Sequence, residues 1–308
     1  MSISPDEIVL HHYDASPFSE KVRAFLGLKG AAWRSVVTPN MAPKPDLTPL
    51  TGGYRRAPVM QIGADIYIDS QTALAEIARR WPGEEDAIGP PFAVNLWADR
   101  LWFGVTVAVV FGLIGDRIDP AFVADREKLS GRPFDVAAMK AVSTPMRAQW
   151  RGHAAWIDQA LKEGGTPFLA GARPGLVDIS AYMNIWWLGG AFPKVADALL
   201  SGFNQLGPWR EQIAAIGHGR RIEATGAEAL DLARRTEPGP APMHDAHDPL
   251  GLEPGAAVRV AADDYGRDPM AGTLVAATPD RIVIARETPE LGRLHLHIPR
   301  IGYVVSPD

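Results

Sequence analysis

The residues best suited to chemistry at the start of this chain are Ser16-Pro17-Phe18-Ser19. The pair Ser-Pro puts a hydroxyl at a helix N-cap and a proline at the first helical position. A helix N-terminus offers free N–H groups and the positive end of the dipole, so it stabilises an anion. The N-cap hydroxyl can donate to the same anion. A free thiol, with a pKa of about 8.5, is only slightly ionised at pH 7. Lowering that pKa by about two units takes roughly 2.7 kcal/mol of preference for the thiolate. One charge-assisted hydrogen bond plus a helix terminus is of that order. The chain has no cysteine. Such a thiol must therefore arrive on a ligand, and disulfides and thiolate zinc sites are excluded. Alone, Ser16 reads as an ordinary cap.

Two further features bear on that reading. Ala57-Pro58-Val59 sets a proline at the mouth of a strand, where it lacks a ladder donor. A cis bond there would turn the backbone of Ala57 toward an extended ligand, whereas a trans proline would simply start the strand. Asp69-Ser70 opens a second helix, whose first-turn N–H groups suit a carboxylate or need only a cap. Other polar groups read more plainly. His244 and His247 fall in a solvated linker. His295 and His297 share one face of a strand, read as a polar outer face without a third metal ligand. His11 and His12 belong to the first strand and its loop.

The elements that must position these groups follow from periodicity. Residues 8–12 read as a buried strand, and Phe18, Val22 and Phe25 mark one face of the next helix. A strand over 33–37, a proline-rich loop and a hairpin over 59–68 follow. A helix from Ser70 ends at Pro82-Gly83. The β-α-β, β-β-α order spans residues 6–82. Residues 90–235 read as nearly all helix, with candidates over 92–113, 135–163, 176–188 and 205–216, so a helical bundle is expected. Residues 236–254 read as an exposed linker. Residues 255–308 alternate as strands, most simply a small all-β, SH3-like barrel.

Composition narrows the function. In 308 residues, 31 Lys plus Arg face 36 Asp plus Glu, giving a net charge of −5, which argues against a nucleic-acid protein. The tail from Gly255 holds six Arg and no Lys against seven acids, so it has no footprint for phosphates. The start does not read as a signal peptide. The apolar run over 105–114 falls short of the ~20 residues needed to span a bilayer. No membrane partner and a cytoplasmic location are therefore expected.

The order SPFSEKVRAFL, RRAPVMQI and YIDSQTALAEIA resembles the N-terminal domain of the glutathione S-transferase superfamily, in its serine-type classes such as tau and zeta. The segment from Phe168 to Ile179 is similar to that family's buried capping-box segment, with Gly175 where Ser or Thr is usual and Asp178 as the acid. The resemblance covers roughly residues 6–235. It implies a thioredoxin-like α/β domain followed by an all-α domain. It implies glutathione as co-substrate, no metal, and a homodimer. It assigns Ser16 to the glutathione sulfur, Ala57 and Pro58 to the cysteinyl backbone, and Asp69 and Ser70 to the γ-glutamyl end. Phe18 and Val59 flank them as further contacts. A second, apolar electrophile would lie between the domains near Tyr13, Trp97, Trp102 and Phe103, although the last three equally fit a core or a dimer interface and Tyr13 is a rival hydroxyl ranked below Ser16. The expected activity is thiolate attack on that electrophile. The alternative is a non-catalytic binding or scaffold protein whose tail mediates protein contacts. The tail itself departs from the family pattern.

Overall fold

The structure, a computed structural model, describes residues 2–83, 86 and 89–308. The N-terminal unit runs β1 (Ile8–His12), α1 (Pro17–Leu28), β2 (Ala32–Val37), a single turn α2 (Thr48–Thr51), β3 (Val59–Ile62), β4 (Asp65–Ile68) and α3 (Asp69–Arg80). β1 pairs with β2 in parallel and with β3 antiparallel, and β3 turns back into β4. Gly63 makes that turn at φ +57°, a conformation that costs a glycine little. This is the β-α-β, β-β-α order the periodicity predicts.

The bundle contains α4 (Pro90–Leu96), a π-helical turn (Trp97–Trp102) and α5 (Phe103–Ile114) as one continuous rod. It continues with α6 (Pro120–Ser130), α7 (Val136–Ala141), α8 (Ser143–Gly164), α9 (Leu176–Ala191), α10 (Pro193–Leu200) and α11 (Leu206–Ile216). Residues 90–117 form a helix long and apolar enough to cross a membrane by length and composition. Here it packs into the protein core through Trp102, Val105, Val109 and Val110. Asp178, fully buried at the start of α9, reaches back to the Gly175 N–H at 3.1 Å. It also accepts from Leu169 N at 2.7 Å, Ala170 N at 3.1 Å and Trp209 Nε1 at 2.7 Å. One buried carboxylate thus ties the preceding loop and α11 to α9, and no side chain is required at position 175.

The expectations for residues 220–235 and for His297 change. Residues 220–235 are not all helix: β5 (Arg220–Glu223) pairs in parallel with β2 before α12 (Gly226–Arg234) begins. The tail strands extend the sheet of the N-terminal unit. β6 (Ala257–Ala262), β7 (Met270–Ala277), β8 (Arg281–Thr288), β9 (Gly292–Pro299) and β10 (Tyr303–Pro307) form an antiparallel run in the order β10-β6-β7-β8-β9. β9 then pairs in parallel with β4, making one ten-stranded sheet. A shared core follows from that ladder, with Leu50, Val59, Ile66 and Ile68 packing among Val258, Leu274, Ile284 and Leu296. His297 is accordingly buried, against the outer face expected for it. Its Nε2 lies 2.8 Å from Asp65 Oδ1.

The linker is held as well. His244 Nδ1 accepts from Ala277 N at 3.1 Å, and Gly239 N donates to Asp65 Oδ2 at 2.7 Å.

Candidate active site

β1 carries the chain to the turn before Ser16, and α1 starts directly after it. Arg23, one and a half turns into α1, donates back to Asp14 O at 2.8 Å and Tyr13 O at 3.3 Å, bracing that turn. Ser16 keeps extended backbone angles, and its Oγ accepts from Ser19 N at 3.2 Å. The hydroxyl also meets the Tyr13 side chain, which competes with a ligand for its hydrogen. The residue is 1% exposed. α1 is fixed to the bundle by Lys21, whose Nζ lies 2.5 Å from Asp99 Oδ1 and 2.6 Å from Asn95 Oδ1. Burial pushes the Asp99 carboxyl up despite Lys21 beside it.

The Ala57–Pro58 bond is cis. Asp69 opens α3 at φ +75°, the left-handed region that Asp tolerates better than most residues. Its Oδ1 accepts from Gln71 N at 3.1 Å and from Ser70 Oγ at 3.4 Å. Phe18, Ala57, Pro58, Asp69 and Ser70 line a common cavity of about 50 Å³. A water needs at least about 10–15 Å³ on that measure, so the space takes a few waters. Ser16 heads the helix that carries Phe18 but does not line this space. Val59 is wholly buried in the sheet core.

The aromatic candidates separate. Trp102 is fully buried, with its ring 5.4 Å from Trp150 and 5.2 Å from Trp97. Trp97 Nε1 donates to His153 Nδ1 at 3.1 Å, on the same bundle-facing side. Both belong to an aromatic core rather than a pocket wall. Phe103 sits elsewhere: its ring is 4.6 Å from Phe18 and 5.3 Å from Trp187. It is the one of the three that reaches the start of α1. Tyr13 lies under Lys44, whose Nζ is 5.7 Å from its ring centroid. Burial pushes the Tyr13 phenol up, against the pull of Arg126 and the Ser16 side chain.

Sequence reasoning missed a cationic group beside Tyr13. Lys44 is buried in the proline-rich loop, and burial, with Arg126 and Arg55 nearby, pushes its amine down to about 8. Asp125 offsets part of that charge: Arg55 Nη1 and Arg126 Nη2 each lie 2.7 Å from its carboxylate. No periodicity marks a single Lys in a loop, so only the folded arrangement reveals it. Arg56 was missed too. Its Nη1 lies 3.0 Å from Asp264 Oδ1, and its Nη2 donates to Tyr303 Oη at 2.9 Å. Asp264, Tyr265 and Tyr303, all from the tail, line the same cavity as Asp69 and Ser70. Among the described residues no group of three or more His, Asp or Glu is placed to hold a metal.

Comparison with known proteins bears on the domains and the fold. Residues 10–85 match the family description "Glutathione S-transferase, N-terminal domain", and residues 113–212 match "Glutathione S-transferase, C-terminal domain". A GST-like protein from Pseudomonas syringae is 31% identical, covering 98% of this chain and 100% of its own, with a TM-score of 0.80. That span takes in the C-terminal strands. Glutathione transferase F2 from Populus trichocarpa, 17% identical, covers 67% of this chain and 93% of its own at a TM-score of 0.51. A tau-class glutathione S-transferase from the mango Mangifera indica, 14% identical, covers 68% and 89% at 0.51. These two share the fold. No curated protein matches the chain.

Proposed function

Because the chain belongs to the glutathione S-transferase family, we propose that it binds glutathione in its thioredoxin-like domain and uses the Ser16 hydroxyl to stabilise the thiolate. What supports this reading is the common cavity of Phe18, Ala57, Pro58, Asp69 and Ser70 beside a helix capped by the Ser16 hydroxyl.

Glutathione is a zwitterionic tripeptide with a carboxylate at each end. Ser70 and the first turn of α3 take the γ-glutamyl carboxylate, and Ala57 pairs with the cysteinyl backbone. That leaves the sulfur toward α1 and Ser16. The glycyl carboxylate then lies toward Lys44, Arg55 and Arg126. The thiol gives its proton to solvent, and the Ser16 O–H donates to the sulfur anion. The sulfur forms a bond to an electrophilic carbon while the leaving group departs with its electron pair. Phe103 and Tyr13 flank this end and suit a small apolar electrophile. A homodimer belongs to the same reading, and sedimentation reads it directly.

Calorimetry with glutathione, together with turnover of an activated aryl halide, tests this. A charge-assisted hydrogen bond contributes about 1.5–3 kcal/mol, so Ser16→Ala should cost roughly ten- to hundredfold in kcat/KM. The absorbance of bound thiolate should fall at the same pH. Absent binding, or unchanged turnover in Ser16→Ala, would sink the mechanism.

A further inference from the structure

The C-terminal strands reach into the cavity rather than merely bracing the sheet. The parallel ladder between β9 and β4 brings the tail alongside the start of α3. From there Tyr303, the first residue of β10, donates its hydroxyl to Asp69 Oδ2 at 3.0 Å while accepting from Arg56 Nη2 at 2.9 Å. Asp69 is thus held on both oxygens, by Gln71 N from its own helix and by Tyr303 from the tail. The segment joining β6 to β7 brings Asp264 to the same cavity, 3.0 Å from Arg56 Nη1. That segment is anchored at two points. Asp263 pairs with Arg100 at 2.8 Å, and Gly266 N donates to Leu129 O at 2.8 Å. The Asp264 side chain is 32% exposed, so its carboxylate is pinned yet open to a ligand.

We infer that the C-terminal β region completes the glutathione site: Asp264, with Asp69 held in place by Tyr303, forms the receptor for the α-ammonium of the γ-glutamyl group. This rests on the proposed binding of glutathione. The γ-glutamyl head carries a carboxylate and an ammonium on one carbon. Ser70 and the α3 terminus suit the first, since hydroxyl and N–H groups donate. The second needs acceptors within hydrogen-bond reach, and hydroxyl and N–H donors already committed to the carboxylate cannot supply them. Two carboxylates from different parts of the chain do supply them. Asp264 is the binding residue here, and Tyr303 is a positioning residue that acts through Asp69.

The test compares glutathione with glutaryl-cysteinylglycine, which keeps both carboxylates and lacks only the α-ammonium. Affinities for both tripeptides are measured by calorimetry on the full chain and on Asp264→Asn and Tyr303→Phe. The full chain should prefer glutathione, and that preference should fall by about tenfold in each variant, since hydrogen bonds to charged groups are of that strength. Because each preference is a ratio within one protein, a loss of stability common to both ligands does not move it. An unchanged ratio in both variants overturns the inference, even if absolute affinities fall. If the full chain binds neither tripeptide, the glutathione reading itself fails, and that outcome is seen before any variant is made.

Discussion

His297 lies flat on Tyr67, with ring centroids 4.5 Å apart and planes 12° from parallel, and its Nε2 is 2.8 Å from Asp65 Oδ1. Tyr67 and Asp65 belong to β4 of the N-terminal unit, and His297 to β9 of the tail. The stack and the hydrogen bond sit on the ladder that fuses the two. A chain ending at residue 254 would leave β4 as an unpaired edge and strip the cover from Ile66 and Ile68. We expect that truncation to be insoluble or to unfold at much lower temperature. We also expect the full chain to melt its N-terminal unit and tail in one transition. Two separate calorimetric transitions, with the first matching the truncated chain, would show the seam to be weak.

Acid should destabilise the fold through β1. His11 is fully buried, and burial pushes its imidazole down to about 4, with the Gln61 hydrogen bond opposing. His12 is pushed down to about 3, by burial first and then by Arg23 and Arg221. Arg23 Nη1 lies 3.0 Å from His12 Nδ1, so that nitrogen accepts and has no room for a proton. Both folded values lie below the unfolded value of about 6.5, so the unfolded chain binds more protons once the pH drops below that. Stability is complete above pH about 6.5 and is lost as pH falls toward 4. Between pH 7 and 5 we expect a loss of about 2–4 kcal/mol, read from urea midpoints. Replacing both as His11→Gln and His12→Asn should flatten that slope, and an unaltered slope would assign the acid sensitivity elsewhere.

Under the proposed function, Lys44 should make binding of the glycyl carboxylate pH-dependent. With its amine pushed down to about 8, it loses its charge as pH rises through that value. An anion bound beside it should therefore bind less well above pH 8. S-methylglutathione isolates this effect because it has no thiol to titrate. Its affinity should fall between pH 7.5 and pH 9, limits set about the Lys44 value, since the charged form holds the anion. Lys44→Gln should bind about tenfold more weakly at pH 7 and show no such fall. A pH profile shared by Lys44→Gln would remove Lys44 from the site.

Asp178 should dominate the stability of the bundle. Removing it leaves three N–H groups and the Trp209 indole without their acceptor. At about 1–3 kcal/mol for each unsatisfied buried donor, partly recovered by relaxation and water, Asp178→Ala should cost about 4 kcal/mol. Thermal unfolding should drop by about 10 °C. Gly175→Ser should change it little, because the reciprocal bond is already made by backbone and carboxylate.

Much of the N-terminal unit was legible in the sequence, because its signals are local. The Ser16-Pro17 start, the helix faces of α1 and α3 and the hairpin at Gly63 are each written within a few residues. What escaped was set by distance. β5 is short, half exposed and rich in arginine, so no alternation marked it, and its partner β2 lies far back in the chain. The tail strands were visible as strands, yet that β9 pairs with β4 depends on an edge that local pattern does not describe. Ser16 and Asp69 were candidates from their positions along the chain. Arg56, Asp264 and Tyr303 became visible only when loops and strands remote in sequence met around one cavity, and Lys44 only when its loop brought it over Tyr13.

The β4–β9 ladder also sets an order of events during synthesis. The Asp65–His297 contact joins residues 232 positions apart. At about 5–20 residues per second, a ribosome finishes β9 roughly 10–45 s after β4 has emerged. Through that interval the nascent N-terminal unit carries a bare edge strand, the type of surface that recruits other chains. Residues 257–308 are thus what seals the first unit, so any translational pause between β4 and β9 lengthens the time it stays open.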